Sequence, residues 1–326
     1  LFPKGSTRVL SMGGAFAGLS DDALAMYSNP AGMVNTRWTY DFSSAENLVI
    51  NKELDITGDD RKDGLPYSTK SSALALKIGF LSLATGASSP YVVDFDFGGG
   101  TSNYKMKIES LDIAVALELF DGISIGAAQH NEKAVLSFTD SYMVASGSSE
   151  AELSTLSYGI AYRYNKSFGF GYSYFPERVF AVDTTISSAV PWFYDVVIAS
   201  KSTMGVFWRM RSNLIWVLDV DTVEVPADTY FVGAINAANG LMVNKSYSII
   251  HGGFEYYVLQ SGSMDFIWRG GGYKEPARLV GNEDRLHFTM GVEFRFQAIT
   301  VSAAYDQAAD FSVTSQALNI NFSKLY

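Results

Sequence analysis

Apolar and polar residues alternate along most of the chain. Between Arg285 and Gln297, one set of alternate positions is apolar and the other is polar or small. The apolar set is Phe288, Met290, Val292, Phe294 and Phe296, and the other set is His287, Thr289, Gly291, Glu293 and Arg295. A period of two is that of a β-strand with one apolar and one polar face. The pattern recurs in residues 111–119 and 157–164, and it predicts a protein built of strands.

The alternating pattern divides the chain after residue 35 into 14 predicted strands. They span residues 36–52, 68–79, 81–94, 104–119, 122–138, 152–164, 168–183, 197–210, 214–225, 246–259, 263–273, 285–296, 299–307 and 314–326. Most exceed the roughly 9 to 11 residues that cross a bilayer at a tilt, whereas strands of soluble sheets have about 5 or 6 residues. Short and long connections alternate strictly between them, as the periplasmic turns and outer loops of a membrane barrel do. The sequence therefore predicts an all-β membrane protein, a 14-stranded antiparallel transmembrane β-barrel over residues 36–326.

Aromatic residues make up 14% of the chain and cluster beside the short connections. Trp208 and Trp216 flank the turn at Arg211, and Tyr164 and Phe168 flank the preceding short turn. Because aromatic rings collect where a membrane meets water, this placement predicts a girdle at the periplasmic rim. The mean hydropathy is +0.07, which suits strands with one apolar and one polar face. The chain contains no run of about 18 apolar residues, so it predicts no membrane helix.

Composition and motifs argue against catalysis and against nucleic acid as a partner. The net charge of -10 opposes binding to phosphates, and the lack of Cys excludes thiolate chemistry. The three histidines, His130, His251 and His287, belong to no recognised catalytic motif. His251 and His287 fall on the inward phase beside Glu255 and Glu293, where a catalytic dyad is the alternative to a ladder of lumen charges. We therefore expect no enzyme activity, no catalytic residue, no metal and no cofactor.

Residues 1–35 lack the strand pattern and are small, polar and rich in glycine. Asp21 and Asp22 are expected to cap a short helix that runs to Tyr27, and Asn29 with Pro30 to end it. A barrel this wide has an open aqueous lumen unless something fills it. We therefore predict that residues 1–35 form a plug in the periplasmic half, with an ordered periplasmic tail outside the barrel as the alternative. Inward charges are expected to pair and to fix this plug, namely Arg163, Arg209, Asp219, Arg269, Glu293 and Arg295.

The stretch LSMGGAFAGLSDDALAMYSNPAGM, residues 10–33, resembles the N-terminal hatch of the FadL-type outer-membrane transporters of long-chain fatty acids and other hydrophobic compounds. The matching hatch or gate positions are Gly13, Gly14, Asp21, Asp22, Ala23, Asn29, Pro30, Ala31 and Gly32. The resemblance implies passive uptake of fatty-acid-like or hydrocarbon ligands and a location in the bacterial outer membrane. The N-terminus would lie in the periplasm or in the lumen. Because the sequence starts without a charged, apolar signal segment, we expect that a signal peptide has been removed.

The resemblance also implies a ligand route with three parts. Hatch residues are expected to line a pocket, namely Phe16, Leu19, Met26 and Tyr27. Two apolar loops would form an external groove with Trp192, Phe193, Tyr194, Phe231, Leu241 and Met242, although they could instead pack only on each other or contact a partner protein. Gly86 and Pro90 in the third strand would interrupt the wall and allow lateral exit, although Pro90 could instead mark the extracellular end of that strand.

A docking role is the alternative to transport. PorV-type components of bacterial secretion systems look similar to the FadL family, and they bind partner proteins instead of moving small molecules. The expected partners are therefore a hydrophobic small molecule or lipid and outer-membrane lipid, with a protein partner under the docking or assembly alternative. The chain is shorter, at 326 residues, than typical transporters of the family.

Overall fold

The chain folds into one closed antiparallel β-barrel of 14 strands, which confirms the predicted fold class. The computed structural model describes residues 6–50, 64–97, 102–120, 122–140, 145–181, 196–224, 246–276, 284–308 and 311–324. The barrel strands are β1 (Thr39–Ile50), β2 (Gly64–Ile78), β3 (Leu81–Phe97), β4 (Ser102–Phe120), β5 (Ile123–Asp140), β6 (Ala145–Asn165), β7 (Phe168–Phe175), β10 (Ser200–Arg211), β11 (Leu214–Glu224), β12 (Tyr247–Gln260), β13 (Met264–Glu275), β14 (Arg285–Phe296), β15 (Ile299–Ala308) and β16 (Phe311–Asn321). β1 pairs with β16 and closes the ring. Two further strands, β8 (Arg178–Phe180) and β9 (Val196–Ile198), form a separate small sheet.

The alternation in the sequence corresponds to the two faces of the barrel wall. In β14, the side chains of His287, Thr289 and Glu293 point inward and are buried, while Phe288 and Met290 are exposed on the outside. A wall that is apolar outside and polar inside is the arrangement of a transmembrane barrel, because its outer face contacts lipid. The period-two prediction therefore holds in both position and direction.

The strand ends differ from the prediction at several places. β3 to β6 extend further than expected, so that only residues 98–101 and 141–144 separate two of the pairs. These two connections are shorter than predicted, and the strict alternation fails between β15 and β16, where residues 309–310 are as few as those of the short turns. The predicted strand 168–183 is also wrong beyond Phe175, where Pro176 removes a backbone donor and the chain leaves the barrel for the β8–β9 sheet.

The predicted aromatic girdle is present at the edge that carries the short turns. Trp208 and Trp216 are register partners across the β10–β11 turn, and both rings are exposed on the outer face. Trp38 lies at the same edge, before β1, and packs against Phe322 with 5.3 Å between ring centroids. Rings at this height anchor a barrel at the membrane–water boundary.

Short helices occupy the stretch before β1. They are α1 (Thr7–Ser11) and two 3₁₀ helices, η1 (Ala23–Tyr27) and η2 (Pro30–Asn35). Asn29 caps η2, since its side chain accepts a hydrogen bond from the Ala31 N–H at 3.2 Å. No helix within the described ranges has the length and apolar character needed to cross a membrane.

The predicted capping of η1 by Asp21 and Asp22 is wrong. Asp22 stands at the N-cap position, but its side chain accepts no hydrogen bond from the first turn. Asp41 of β1 accepts the Ala23 N–H instead, at 2.7 Å. Asp21 turns toward Arg8, because a guanidinium withdrawn from water needs carboxylate partners.

Candidate functional site

The N-terminal segment, residues 6–36, contacts all 14 strands of the barrel. Thr7 contacts both strands that close the ring, because its hydroxyl oxygen lies 2.8 Å from Ser43 Oγ of β1 and 2.6 Å from Ser315 Oγ of β16. α1 packs on β15, and on each other strand the segment approaches at least one residue, for example Ser43, Ser72, Gly86, Asp112, Ser124, Arg163, Gly171, Gly205, Asp219, Glu255, Gly271, Thr289 and Ser315. The candidate site is therefore the whole contact between this segment and the barrel wall.

Small residues on both sides allow this close contact. Gly13 has a φ of +68°, and a Cβ there would lie 2.6 Å from the backbone nitrogen of Gly272. An L side chain is thus excluded by backbone conformation and by space. Gly14 stands against the ring of His251, and Gly32 stands against Ser20 within the segment. The predicted hatch glycines therefore occupy positions where the backbone comes close to its neighbours.

A buried charge network joins the segment to β12, β13 and β14. Arg8 contacts Asp21 at 2.6 Å and Glu255 at 2.9 Å. Arg269, whose side chain is 1% exposed, contacts Glu255 at 2.7 Å and Glu293 at 2.8 Å. Arg295 reaches Glu293 at 2.5 Å. We call these six residues, Arg8, Asp21, Glu255, Arg269, Glu293 and Arg295, the anchor network.

The electrostatics of the segment differ between its charged groups. Burial would lower the pKa of Arg8, but Asp21 and Glu255 outweigh it and hold that pKa well above its ordinary value. Asp22 lies 4.0 Å from Arg8, and its Oδ1 has no hydrogen-bond partner. Burial, with the neighbouring carboxylate of Asp41, raises the pKa of Asp22 well above its usual range. Asp22 is thus an incompletely compensated acid in the contact surface.

Backbone groups of the segment are held by β11 and β12. Asp219 accepts hydrogen bonds from the N–H groups of Phe16 and Ala17, at 2.7 and 2.8 Å. His251 Nδ1 lies 2.6 Å from the carbonyl oxygen of Gly13. Among the predicted ladder residues, Arg209 behaves differently, since it contacts the Ser212 carbonyl at the turn and joins neither the segment nor the anchor network.

A second cluster of polar residues joins the segment to β4, β5 and β6. The Tyr27 hydroxyl donates to Asp112 Oδ2 at 2.9 Å, while Asp112 Oδ1 accepts from Ser110 at 2.5 Å and from His130 Nδ1 at 2.9 Å. His130 Nε2 lies 2.8 Å from Ser157 Oγ. Burial and the neighbouring Asp112 raise the pKa of Tyr27 well above its ordinary value, so its hydroxyl remains a donor.

The order Ser157, His130, Asp112 has the hydrogen-bond connectivity of a hydrolytic triad. Ser157 is 0% exposed, however, so a substrate cannot reach its hydroxyl. The second carboxylate oxygen of Asp112 also accepts a hydrogen bond from Tyr27. The arrangement therefore serves as a hydrogen-bonded support for the N-terminal segment. Sequence reasoning missed it because its members lie on three strands and share only the inward phase.

The predicted ligand-pocket residues share one apolar cluster. Phe16, Leu19 and Met26 are buried in it, and Tyr27 packs against it from a half-buried position. The wall contributes mostly alanines here, including Ala73, Ala75, Ala84, Ala114 and Ala116. The structure thus brings the four residues together, while their role in ligand binding stays a prediction.

The two residues predicted to interrupt the wall both lie within β3. Pro90 falls in a bulge, because the pairing with β4 skips from Ser88 to Tyr91 while β4 advances by one residue less. Pairing continues beyond it to Phe97, so Pro90 does not mark the end of the strand. Gly86 lies where the segment approaches β3, and lateral opening at this place stays a prediction.

The predicted external groove lies outside the described residues. This applies to Trp192, Phe193, Tyr194, Phe231, Leu241 and Met242, whose role stays a prediction. Across the ranges that the structure describes, no group of three or more His, Asp or Glu side chains is arranged to hold a metal ion.

A closed ring of 14 antiparallel strands, apolar outside and polar inside, defines the chain as a transmembrane β-barrel, and its fold is that of the FadL-type barrels. The CymD monoaromatic hydrocarbon channel matches with a TM-score of 0.67 and 13% identity over 99% of each chain. A Pseudomonas aeruginosa FadL homologue matches with a TM-score of 0.67 and 12% identity over 98% of each chain. The Ralstonia pickettii toluene transporter TbuX matches with a TM-score of 0.68 and 13% identity over 98% of this chain and 99% of that one.

The likeness is one of fold, because the identities are low. No protein-family model and no curated protein matches the sequence. The fold implied by the resemblance of residues 10–33 is thus confirmed by structure. The similar barrels bear the names of channels and transporters.

Proposed function

We propose that the chain is a channel of the bacterial outer membrane for passive uptake of hydrophobic small molecules. Its fold supports this, and two proteins of the same fold are named for monoaromatic hydrocarbons and for toluene. The outer face, with its exposed apolar side chains and its aromatic girdle at the turn edge, suits a bilayer with short turns on the periplasmic side. Hydrocarbons and fatty-acid-like molecules are the proposed ligand class.

The proposal depends most on the N-terminal segment, which contacts every strand of a closed ring. We take residues 1–35 to be a plug within the lumen, with the N-terminus in the lumen or the periplasm. A barrel closed in this way would exclude water-soluble solutes and would open only for a ligand that displaces part of the plug. The hatch residues Ala23, Pro30, Ala31 and Gly32 would then belong to the moving surface.

The proposed route begins at the apolar loops that carry Trp192 and Phe231. Apolar burial there would supply about 25 cal/mol per Å² of ligand surface removed from water. The ligand would pass to the cluster around Phe16 and Met26, and a shift of the plug would open a path. Exit beside the bulge at Pro90 would let a hydrocarbon enter the bilayer without passing the buried charges of the lumen.

Uptake of labelled toluene by cells that express the chain tests this proposal. We expect faster uptake than in cells with an empty vector, and a slower rate in a Trp192→Ala/Phe193→Ala variant that reaches the outer membrane in equal amount. Equal uptake with and without the protein would refute transport. Stoichiometric proteins that co-purify in mild detergent, with no bound hydrophobic molecule in native mass spectrometry, would favour the docking role.

A further inference from the structure

We propose that Tyr27 is a latch, a residue whose hydrogen bond to Asp112 holds the plug against β3 and β4 and breaks when the plug opens. This inference rests on the proposed channel function and deepens it. It assigns the moving part of the N-terminal segment to the face of η1 and η2 that packs on β2–β4. Hydrogen bonds to Asp41, Ser124 and the Ile160 carbonyl hold the other sides of these helices to β1, β5 and β6. α1 and residues 12–19 then stay fixed to the opposite wall.

The two sides of the segment are held by contacts of different strength. Toward β11–β14, Arg8 enters the anchor network and Asp219 binds two backbone N–H groups. Separation there would leave buried charges and donors without partners, which is strongly unfavourable. Toward β2–β4, the described hydrogen bonds of the segment come from Tyr27 and from the Val34 carbonyl, which accepts from Lys77 at 2.5 Å. The remaining contacts there are with small apolar residues, so this side separates more readily.

The wall opposite Tyr27 is the strand that contains the bulge. A Cβ on Gly86 would lie 2.6 Å from the Tyr27 hydroxyl oxygen and 3.0 Å from Met26 Sδ. The lack of a side chain at Gly86 therefore lets Tyr27 and Met26 lie directly on β3. Pro90 lies in the bulge of the same strand, four residues further along. A shift of Tyr27 would thus uncover the wall beside its irregular stretch.

Asp112 is arranged to release Tyr27 without losing its other partners. Its Oδ1 is bound by Ser110 and by His130, and His130 is held in turn by Ser157, in the tautomer that carries its proton on Nδ1. Only Oδ2 faces Tyr27. The carboxylate therefore stays hydrogen-bonded when the latch opens, so the wall need not rearrange and the bond can form again. His130 acts here as a positioning residue.

Hydrogen exchange of the purified protein in detergent micelles, with no ligand added, tests the latch. In Tyr27→Phe, we expect exchange of the amides in residues 23–35 to accelerate about tenfold, the effect of losing one hydrogen bond to a carboxylate. Exchange in residues 7–19 should stay within about twofold of the unmodified protein. Asp112→Asn provides the same test if Tyr27→Phe does not fold.

Tyr273→Phe is the matched control, because the Tyr273 hydroxyl donates to Asp306 at 2.8 Å from one wall strand to another. This variant loses a similar bond but should leave exchange in residues 23–35 unchanged. Unchanged exchange in Tyr27→Phe, or equal acceleration in residues 7–19 and 23–35, would overturn the latch. If exchange is faster in Tyr27→Phe but no form of the protein takes up toluene, the latch is supported and transport is rejected. If the protein takes up toluene but exchange is unchanged in Tyr27→Phe, transport is supported and the latch is rejected.

Discussion

Arg8 and Glu255 form a buried ion pair between the N-terminal segment and the barrel wall, with 2.9 Å between Arg8 Nε and Glu255 Oε2. The Glu255 side chain is 0% exposed, and it is shared with Arg269. Because both charges are withdrawn from water, removal of either partner would leave the other charge poorly compensated. The two residues lie 247 positions apart in the chain, so this contact ties the first element to the last third of the barrel.

Replacement of Arg8 by Met is therefore expected to loosen the segment. The substitution keeps most of the side-chain length but removes the cation that contacts Asp21 and the buried Glu255, so we expect a loss of about 3 kcal/mol. Urea unfolding in detergent, followed by tryptophan fluorescence, measures it. Lys133→Met is the control, since the Lys133–Glu150 pair is exposed and solvent screening should leave its loss with little effect on stability. Equal stability of the two variants would contradict the role of the anchor network.

Asp219 offers a separate test of the attachment to β11. Asp219→Ala would leave the N–H groups of Phe16 and Ala17 without their acceptor, at a cost of about 2 to 4 kcal/mol. Asp219→Asn retains one acceptor oxygen, so its stability should lie between that of the unmodified protein and that of Asp219→Ala. Hydrogen exchange of these two amides and urea unfolding measure the effect. If Ala and Asn behave alike, the hydrogen bonds do not hold the segment.

The barrel could be predicted because its signal is local. Alternation along β14 follows from the side-chain geometry of one strand, so no knowledge of its neighbours is needed. The break after Phe175 was missed although Pro176 was visible. The apolar phase ends at Tyr174, because Pro176 and Arg178 occupy the next two positions of that phase, so the sequence itself contained the signal for the break.

The hydrogen-bonded cluster of Tyr27, Asp112, His130 and Ser157 could not be predicted from the sequence, because it depends on the register between strands. Asp112 faces His130 across β4 and β5, but the pairing shifts by one residue between Glu118 and Phe120, beside the turn. A shift of one residue exchanges the faces that neighbouring strands present to each other. Counting back from the turn therefore gives the wrong partner. The capping role of Asp22 failed for a related reason, since a local rule competed with charges brought in from elsewhere in the chain.

The raised pKa of Asp22 leads to a prediction about pH. Burial and Asp41 favour the protonated carboxyl in the folded state, so ionisation costs stability as the pH rises above the unfolded value of about 4. Asp22→Asn removes this cost, and we expect a gain of about 1 to 2 kcal/mol at pH 8 and none below pH 4. Urea unfolding at the two pH values measures it.

Asp21→Asn is the matched control for the pH prediction. Asp21 lies 2.6 Å from Arg8, so its carboxylate compensates a buried cation, and its loss should destabilise the protein at pH 8. Opposite effects of two neighbouring and chemically identical substitutions would distinguish local compensation from a general effect of negative charge. A loss of stability in Asp22→Asn at pH 8 would instead show that the 4.0 Å contact with Arg8 is the stronger influence.

A disulfide at the fixed end of the segment tests which end moves. The Thr7 and Ser43 hydroxyl oxygens are 2.8 Å apart, and the chain has no Cys of its own, so the only disulfide that Thr7→Cys/Ser43→Cys can form within one chain is the intended one. Because α1 is proposed to stay on the wall while the Tyr27 end shifts, toluene uptake by the oxidised variant should remain within about twofold of the reduced form. Thr7→Cys alone controls for the substitution. Uptake that disappears on oxidation and returns on reduction would mean that α1 itself must leave β1.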